Sequence, residues 1–194
     1  MNISNTFYAR DRAEWRAWLA AHFKTEKEIW FVFPTVASGE IGVSYNDAVE
    51  EALCFGWIDS TAKFLDEQHS ARRFTPRKPG SPYSRPNIER LIWLDARGML
   101  SESVRECVLP LIQTPYVFPA DILEEIRRDP MAWQRYQAFS EPYKRIRIAY
   151  IDAARHRPEE FQKRLKSFLS KTREGKIITG YGGIDKYYKS EAQE

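Results

Sequence analysis

Every stretch that reads as a β-strand lies before Pro76, and every periodic stretch beyond Ser84 reads as helix. Segregation of this kind predicts an α+β fold: a small antiparallel sheet, made of one strand and a β-hairpin, packed with helices and followed by a C-terminal helical unit. Glu28-Ile-Trp-Phe-Val-Phe33 is aromatic and β-branched and stops at Pro34, as a buried strand does. Trp57 to Leu65 and Ser70 to Thr75 flank Asp66-Glu67-Gln68-His69, a polar connection of hairpin length.

Helix signals surround these strands. Asp11 with Glu14 forms a reciprocal cap, and Trp15, Trp18, Leu19 and Phe23 share one stripe, so a helix is expected near 11–23. Ser44 with Asp47 opens a second, whose stripe is Ala48, Val49, Ala52 and Leu53 and whose end is Gly56. Pro76, Pro79, Pro82 and Pro86 with Gly80 forbid regular pairing and give a surface loop. Ser84 then caps a helix carrying Ile88, Leu91 and Ile92 that Gly98 stops, and a further helix is expected over 101–109, ending at Pro110. Breaks at Pro115, Pro119, Asp129-Pro130, Ser140-Glu-Pro142 and Arg157-Pro158 divide the remaining helices. The expected organisation is an α+β core over 1–115, a helical unit over 116–176 and a mobile tail over 177–194.

Hydrophobic residues at 43% and charged residues at 29% are those of an ordinary globular protein, and 194 residues bury a real core without disulfides. Cys54 and Cys107 both fall in apolar helical patterns and read as buried free thiols of a reducing compartment. The first residues have no apolar run before a cleavage site, and no later segment is apolar enough to span a bilayer. A cytoplasmic location without membrane insertion is expected.

The net charge of +3 is too mild to indicate nucleic acid by itself. Its distribution is more informative, because Arg72, Arg73, Arg77, Lys78, Arg85 and Arg90 face the single acid Glu89 between residues 72 and 90. Guanidinium forks there adjoin the hydroxyls of Thr75, Ser81 and Ser84, the amide of Asn87, and the rings of Trp57, Phe74 and Tyr83. Such a set holds a carboxylate or phosphate while the rings cover its apolar part. The expected ligand site is therefore Trp57, Asp59, Arg72, Arg73, Phe74, Arg77, Ser81, Tyr83, Ser84, Asn87 and Arg90. The competing structural reading makes Ser84 and Asn87 parts of a cap and pairs the arginines with glutamates elsewhere.

Other chemistry is less well supported. Cys54 lies near a helix C-terminus among apolar neighbours, where a thiolate is disfavoured. Asp59 and Asp66 flank one strand, and seven residues at ~3.3 Å each hold them about 23 Å apart. Asp59 is better placed to pair across the hairpin with an arginine such as Arg73. His22, His69 and His156 lack ligand spacing, and Gly180-Tyr-Gly-Gly183 has no strand before it or helix after it, so neither metal nor cofactor is expected.

The ordered series Trp15, Trp18-Leu19, Ile29-Trp30-Phe31-Val32-Phe33 and Ser44-Tyr-Asn-Asp-Ala-Val-Glu-Glu-Ala-Leu-Cys-Phe-Gly-Trp-Ile-Asp-Ser60 resembles the YdeI/OmpD-associated, or bacteriocin-protection, family. Phe74-Thr-Pro-Arg-Lys78, Ser81, Ser84, Asn87, Arg90-Leu91 and Gly98-Met99 extend it. Phe118-Pro119, Tyr143, Ile151 and Gly175-Lys176 carry the likeness into the second half. Pro34-Thr35 stands where the family pattern has a basic pair, and Glu160-Phe161 where it has a Thr-Arg pair. The resemblance implies a role in bacteriocin or antimicrobial-peptide stress defence and supplies no catalytic set. The resulting expectation is a non-catalytic protein that binds an anionic small molecule or a protein partner over residues 57–90. The alternative is an enzyme acting on an anionic substrate there, with Asp59 as base and Arg73 or Arg77 as electrostatic stabiliser. Nucleic-acid binding ranks last.

Overall fold

The computed structural model describes residues 5–180 and 183–188. Its elements divide into two units, the first formed by 1–82 and 91–110 and the second by 83–90 and 111–194. The fold is α+β, as expected, with one four-stranded, mostly antiparallel sheet and helices throughout the C-terminal part. The opening turns of one helix, 83–90, group with the second unit.

In the first unit the sheet order is β1-β2-β4-β3, from Thr6–Tyr8, Ile29–Pro34, His69–Pro76 and Trp57–Phe64. The sequence reading lacked β1, a three-residue edge strand parallel to β2. Strand alternation gives the sheet two different sides. Ile29 and Phe31 on β2 lie opposite Phe74 and Arg72 on β4, and α1 (Arg12–His22) covers that side. Trp15 on α1 meets Phe31 with ring centroids 4.7 Å apart and Phe74 at 5.6 Å, and its indole N–H donates to the Ala48 carbonyl at 3.0 Å. Trp15, Phe31 and Phe74 are all fully buried.

The cap of α1 forms as the sequence predicts: the Asp11 carboxylate accepts from the Glu14 N–H at 2.9 Å, while Glu14 accepts from the Arg10 N–H at 2.8 Å. α2 (Tyr45–Cys54) is capped by Ser44 and followed by Gly56 at φ +74°, a left-handed turn that favours glycine. Between α1 and α2 lies a charge network that the sequence did not announce. Glu51, 1% exposed, accepts from Arg12 and from Arg16 at 2.5 and 2.7 Å. Arg12 also reaches Asp47 and Glu50 at 2.9 and 2.8 Å.

α3 (Arg85–Ala96) ends before Gly98, as expected, but α4 (Glu102–Gln113) continues through Pro110. A proline inside a helix removes one backbone donor and crowds the preceding turn; here the helix bears that cost and continues for three more residues. Cys107 on α4 is exposed, contrary to the expectation of two buried thiols, because it lies off the face that buries Val108.

In the second unit, α5 (Ala120–Arg127), α6 (Pro130–Ala138), α7 (Glu141–Asp152) and α8 (Pro158–Arg173) bury Ile122, Ile126, Tyr143, Ile148 and Phe168. Residues 177–194, read as a tail, contain a 3-10 turn at Ile184–Tyr188 whose Ile184, Tyr187 and Tyr188 are buried, with Tyr188 against Tyr143 at 4.8 Å. Residues 181, 182 and 189–194 of that segment lie outside the described residues.

Candidate functional site

The β3–β4 hairpin brings the expected site residues onto opposite sides of the sheet. Asp59 pairs with Phe74 in the antiparallel register and Trp57 with Pro76, so Trp57, Asp59, Arg72 and Phe74 share the helix-covered side. Trp57 and Phe74 are core residues, and the Trp57 indole donates to the Phe23 carbonyl at 3.1 Å. Asp59 accepts from Tyr45 at 2.9 Å and from Arg72 at 3.1 Å, and the Arg72 guanidinium lies 4.3 Å from the centre of the Tyr45 ring. The cross-strand partner of Asp59 is thus Arg72 rather than Arg73. The reason is alternation: Arg73 points to the other side, beside Trp30 in the β2–β4 register, where it pairs with Glu28 and donates to it at 2.8 Å.

On that other side Arg73, Thr75 and Ile58 line a concavity of 760 Å³ with Lys24, Glu26 and Lys27 of the α1–β2 connection and Arg77, Lys78 and Ser81 of the proline-rich loop. The connection is drawn there by the register, since Ile29 lies opposite Phe74. The loop is shaped by its own residues. Pro79 and Gly80, the latter at φ +76°, occupy the centre of a turn closed by Ser81 N–H to Lys78 carbonyl at 3.1 Å, the arrangement of a type II turn. Arg77 is held at both ends: its N–H donates to the Gly56 carbonyl at 2.9 Å, and its guanidinium donates to the Ser81 and Pro82 carbonyls at 3.1 and 3.0 Å.

Five cationic side chains therefore surround this space, and Glu26 is the one acid among its lining residues. Arg73 is partly neutralised by Glu28, whereas Lys24, Lys27, Arg77 and Lys78 form a positive rim. Such a rim favours an anion, and Thr75 and Ser81 add hydroxyl donors. Arg73, Arg77 and Ser81 of the expected set are brought together; Asp59, the imagined base, lies on the opposite side of the sheet. Lys24 and Lys27 were missed, because the β2–β4 register that brings them to the hairpin is not written in their own segment.

Tyr83, Ser84, Asn87 and Arg90 belong to the second unit. The Ser84 carbonyl accepts from Ile88 N–H at 3.0 Å, and Arg90, 5% exposed, donates to Asn87 at 2.9 Å. Glu89, 2% exposed, joins Arg85 to Arg145: it accepts from Arg85 Nε at 2.8 Å and from Arg145 Nε and Nη2 at 2.7 and 2.8 Å. This buried carboxylate raises the Arg145 pKa above its ordinary value.

Cys54 is fully buried, and burial, reinforced by Glu51, pushes its thiol up to about 12 against the opposing effect of Arg16. The thiol is therefore protonated at neutral pH, and alkylation of the native protein at Cys54 is expected to be far slower than that of the unfolded chain. Exposed Cys107 serves as the internal comparison, read by mass spectrometry of the two peptides. Selective labelling of Cys54 at neutral pH would contradict this assignment.

Residues 115–175 match the model of the bacteriocin-protection, YdeI or OmpD-associated family, which bears out the resemblance in the half where fewer residues carried it. Residues 7–107, which contain the sheet and the basic concavity, match a model described as a domain of unknown function, DUF8412. No curated protein and no solved structure matches the chain. With just over half of its length inside the first-unit model, the chain belongs to the DUF8412 family, and it carries a bacteriocin-protection, YdeI or OmpD-associated domain after it.

Proposed function

We propose that the protein is a cytoplasmic, non-catalytic component of bacteriocin or antimicrobial-peptide defence that binds an anionic small molecule in the basic concavity of its first unit. The association with bacteriocin protection rests on the match over 115–175. The anion preference rests on one observation: Lys24, Lys27, Arg73, Arg77 and Lys78 converge on 760 Å³ with Glu26 as the one lining acid. A volume of that size accommodates a small organic anion. The lining hydroxyls and cations supply binding and orientation. Free thiols at Cys54 and Cys107 suit a reducing compartment.

Arg77 is the residue whose replacement tests this reading. Calorimetric titration with a panel of phosphates, nucleotides and carboxylates is expected to find a ligand, and Arg77→Ala to weaken it by about 1.5–3 kcal/mol, the range for hydrogen bonds to charged groups. Arg77→Lys is expected to restore part of the loss, since an ammonium keeps charge without the planar fork. A marked fall in melting temperature for Arg77→Ala, with no ligand in the panel, would make Arg77 only a brace for the Ser81 and Pro82 carbonyls and would end the proposal.

A further inference from the structure

Four of the seven large apolar side chains exposed among the described residues crowd one end of the first unit: Val36, Ile41, Phe64 and Leu65. Scattered exposed apolar residues are ordinary, whereas a cluster marks a surface that something covers. The segments that carry them meet at the hairpin turn. Thr35 N–H donates to the Gln68 carbonyl at 2.7 Å, which ties the segment carrying Val36 to the hairpin turn. Glu40 contacts His69 at 3.2 Å, which ties the segment carrying Ile41 to the same turn. Phe64 lies opposite Ser70 in the ladder, and Ser70 with Phe33, Val36 and Tyr45 lines a 550 Å³ groove. That groove lies on the helix-covered side of the sheet, so it is separate from the basic concavity.

Charge identifies the class of occupant. Glu40, Asp66 and Glu67 stand in the same segments as these apolar side chains, and all three are exposed. The nearby bases are Arg72, engaged by Asp59, His69, engaged by Asp66 and Glu40, and Lys63, whose ammonium lies over the Trp30 ring at 5.0 Å. Asp66 first, then Glu40, raises the His69 imidazole pKa, so that ring offsets at most one of the three carboxylates. An apolar surface with an acidic border repels anionic lipid headgroups and attracts a segment whose apolar face is flanked by bases.

We propose that this end of the first unit docks a cationic amphipathic peptide segment, its apolar side chains against Phe64, Val36 and the groove and its lysines or arginines against Glu40, Asp66 and Glu67. Phe64, 85% exposed, is the anchor on the protein side. The arrangement needs no contact from the basic concavity, and either site functions without the other.

The test uses the full chain and a fluorescent amphipathic helix made of leucine and lysine, with a leucine and glutamate peptide of the same apolar pattern as control. Saturable binding of the lysine peptide is expected by anisotropy, weakening with added salt. Phe64→Ser is expected to reduce affinity about tenfold, with the melting temperature unchanged because the ring is exposed. The double variant Glu40→Gln, Glu67→Gln is expected to weaken binding, and Arg77→Ala to leave it intact. Equal binding of both peptides, no saturable binding, or indifference to Phe64→Ser would overturn the proposal. So would self-association of the protein abolished by Phe64→Ser, which would assign the patch to a second copy, or a preference for phosphatidylglycerol vesicles over the peptide.

Discussion

Glu89→Ala is expected to destabilise the second unit by about 3–5 kcal/mol, the cost of removing one member of a buried ion pair. The loss is large because the substitution leaves charges behind instead of a cavity. Arg85 and Arg145 have side chains only 11% and 20% exposed, and Glu89 is the carboxylate that both engage. Against a total stability of about 5–15 kcal/mol for an ordinary domain, that is a substantial share. Denaturant midpoints measure it, and amide exchange should show lost protection concentrated in 83–90 and α7. Glu89→Gln should cost less, because it still accepts hydrogen bonds while losing the charge. A loss under about 1 kcal/mol for Glu89→Ala would place the pair among weak surface bridges.

Trp15→Ala is expected to cost the first unit about 3–5 kcal/mol, through lost burial and the cavity that remains. Its ring packs on Phe7, Trp18, Phe31 and Phe74, and rigid rings rearrange poorly into the space it would leave. Trp15→Phe separates the two parts of the effect. It keeps an aromatic ring in place but leaves the Ala48 carbonyl without its indole donor, a loss of about 1–3 kcal/mol. Equal losses for the alanine and phenylalanine variants would show that the hydrogen bond, and not packing, dominates at this position.

Much of the fold was legible because its signals are local. Asp11 and Glu14, Ser44 and Asp47, and the apolar stripes between them set helix positions within a few residues, and the polar Asp66–His69 connection set the hairpin. β1 was not legible, since Thr6-Phe-Tyr8 becomes a strand only by pairing with β2 more than twenty residues later. The site was legible in charge but not in side. Arg72 and Phe74 run through the same basic window as Arg73 and Arg77, and Trp57 and Asp59 lie across the hairpin from it, yet alternation turns all four toward the helix-covered side. A register shift between Asp59 and Ala62 makes the pairing of that hairpin irregular, which spacing alone does not reveal. Lys24 and Lys27 reach the concavity through the β2–β4 register, and Glu89 meets Arg145 from 56 residues away. Both are relations between distant segments, so no window of sequence contains them.

The assignment of 83–90 to the second unit gives the chain a shared component. A fragment cut to the 7–107 family match retains Arg85 and Glu89 and discards Arg145, whereas one cut to 115–175 retains Arg145 and discards Glu89, its carboxylate partner. Neither linear segment is a complete physical object. A cut between the two matched segments parts a buried carboxylate from its guanidinium, so a fragment meant to keep the second unit intact has to carry 83–90 with it.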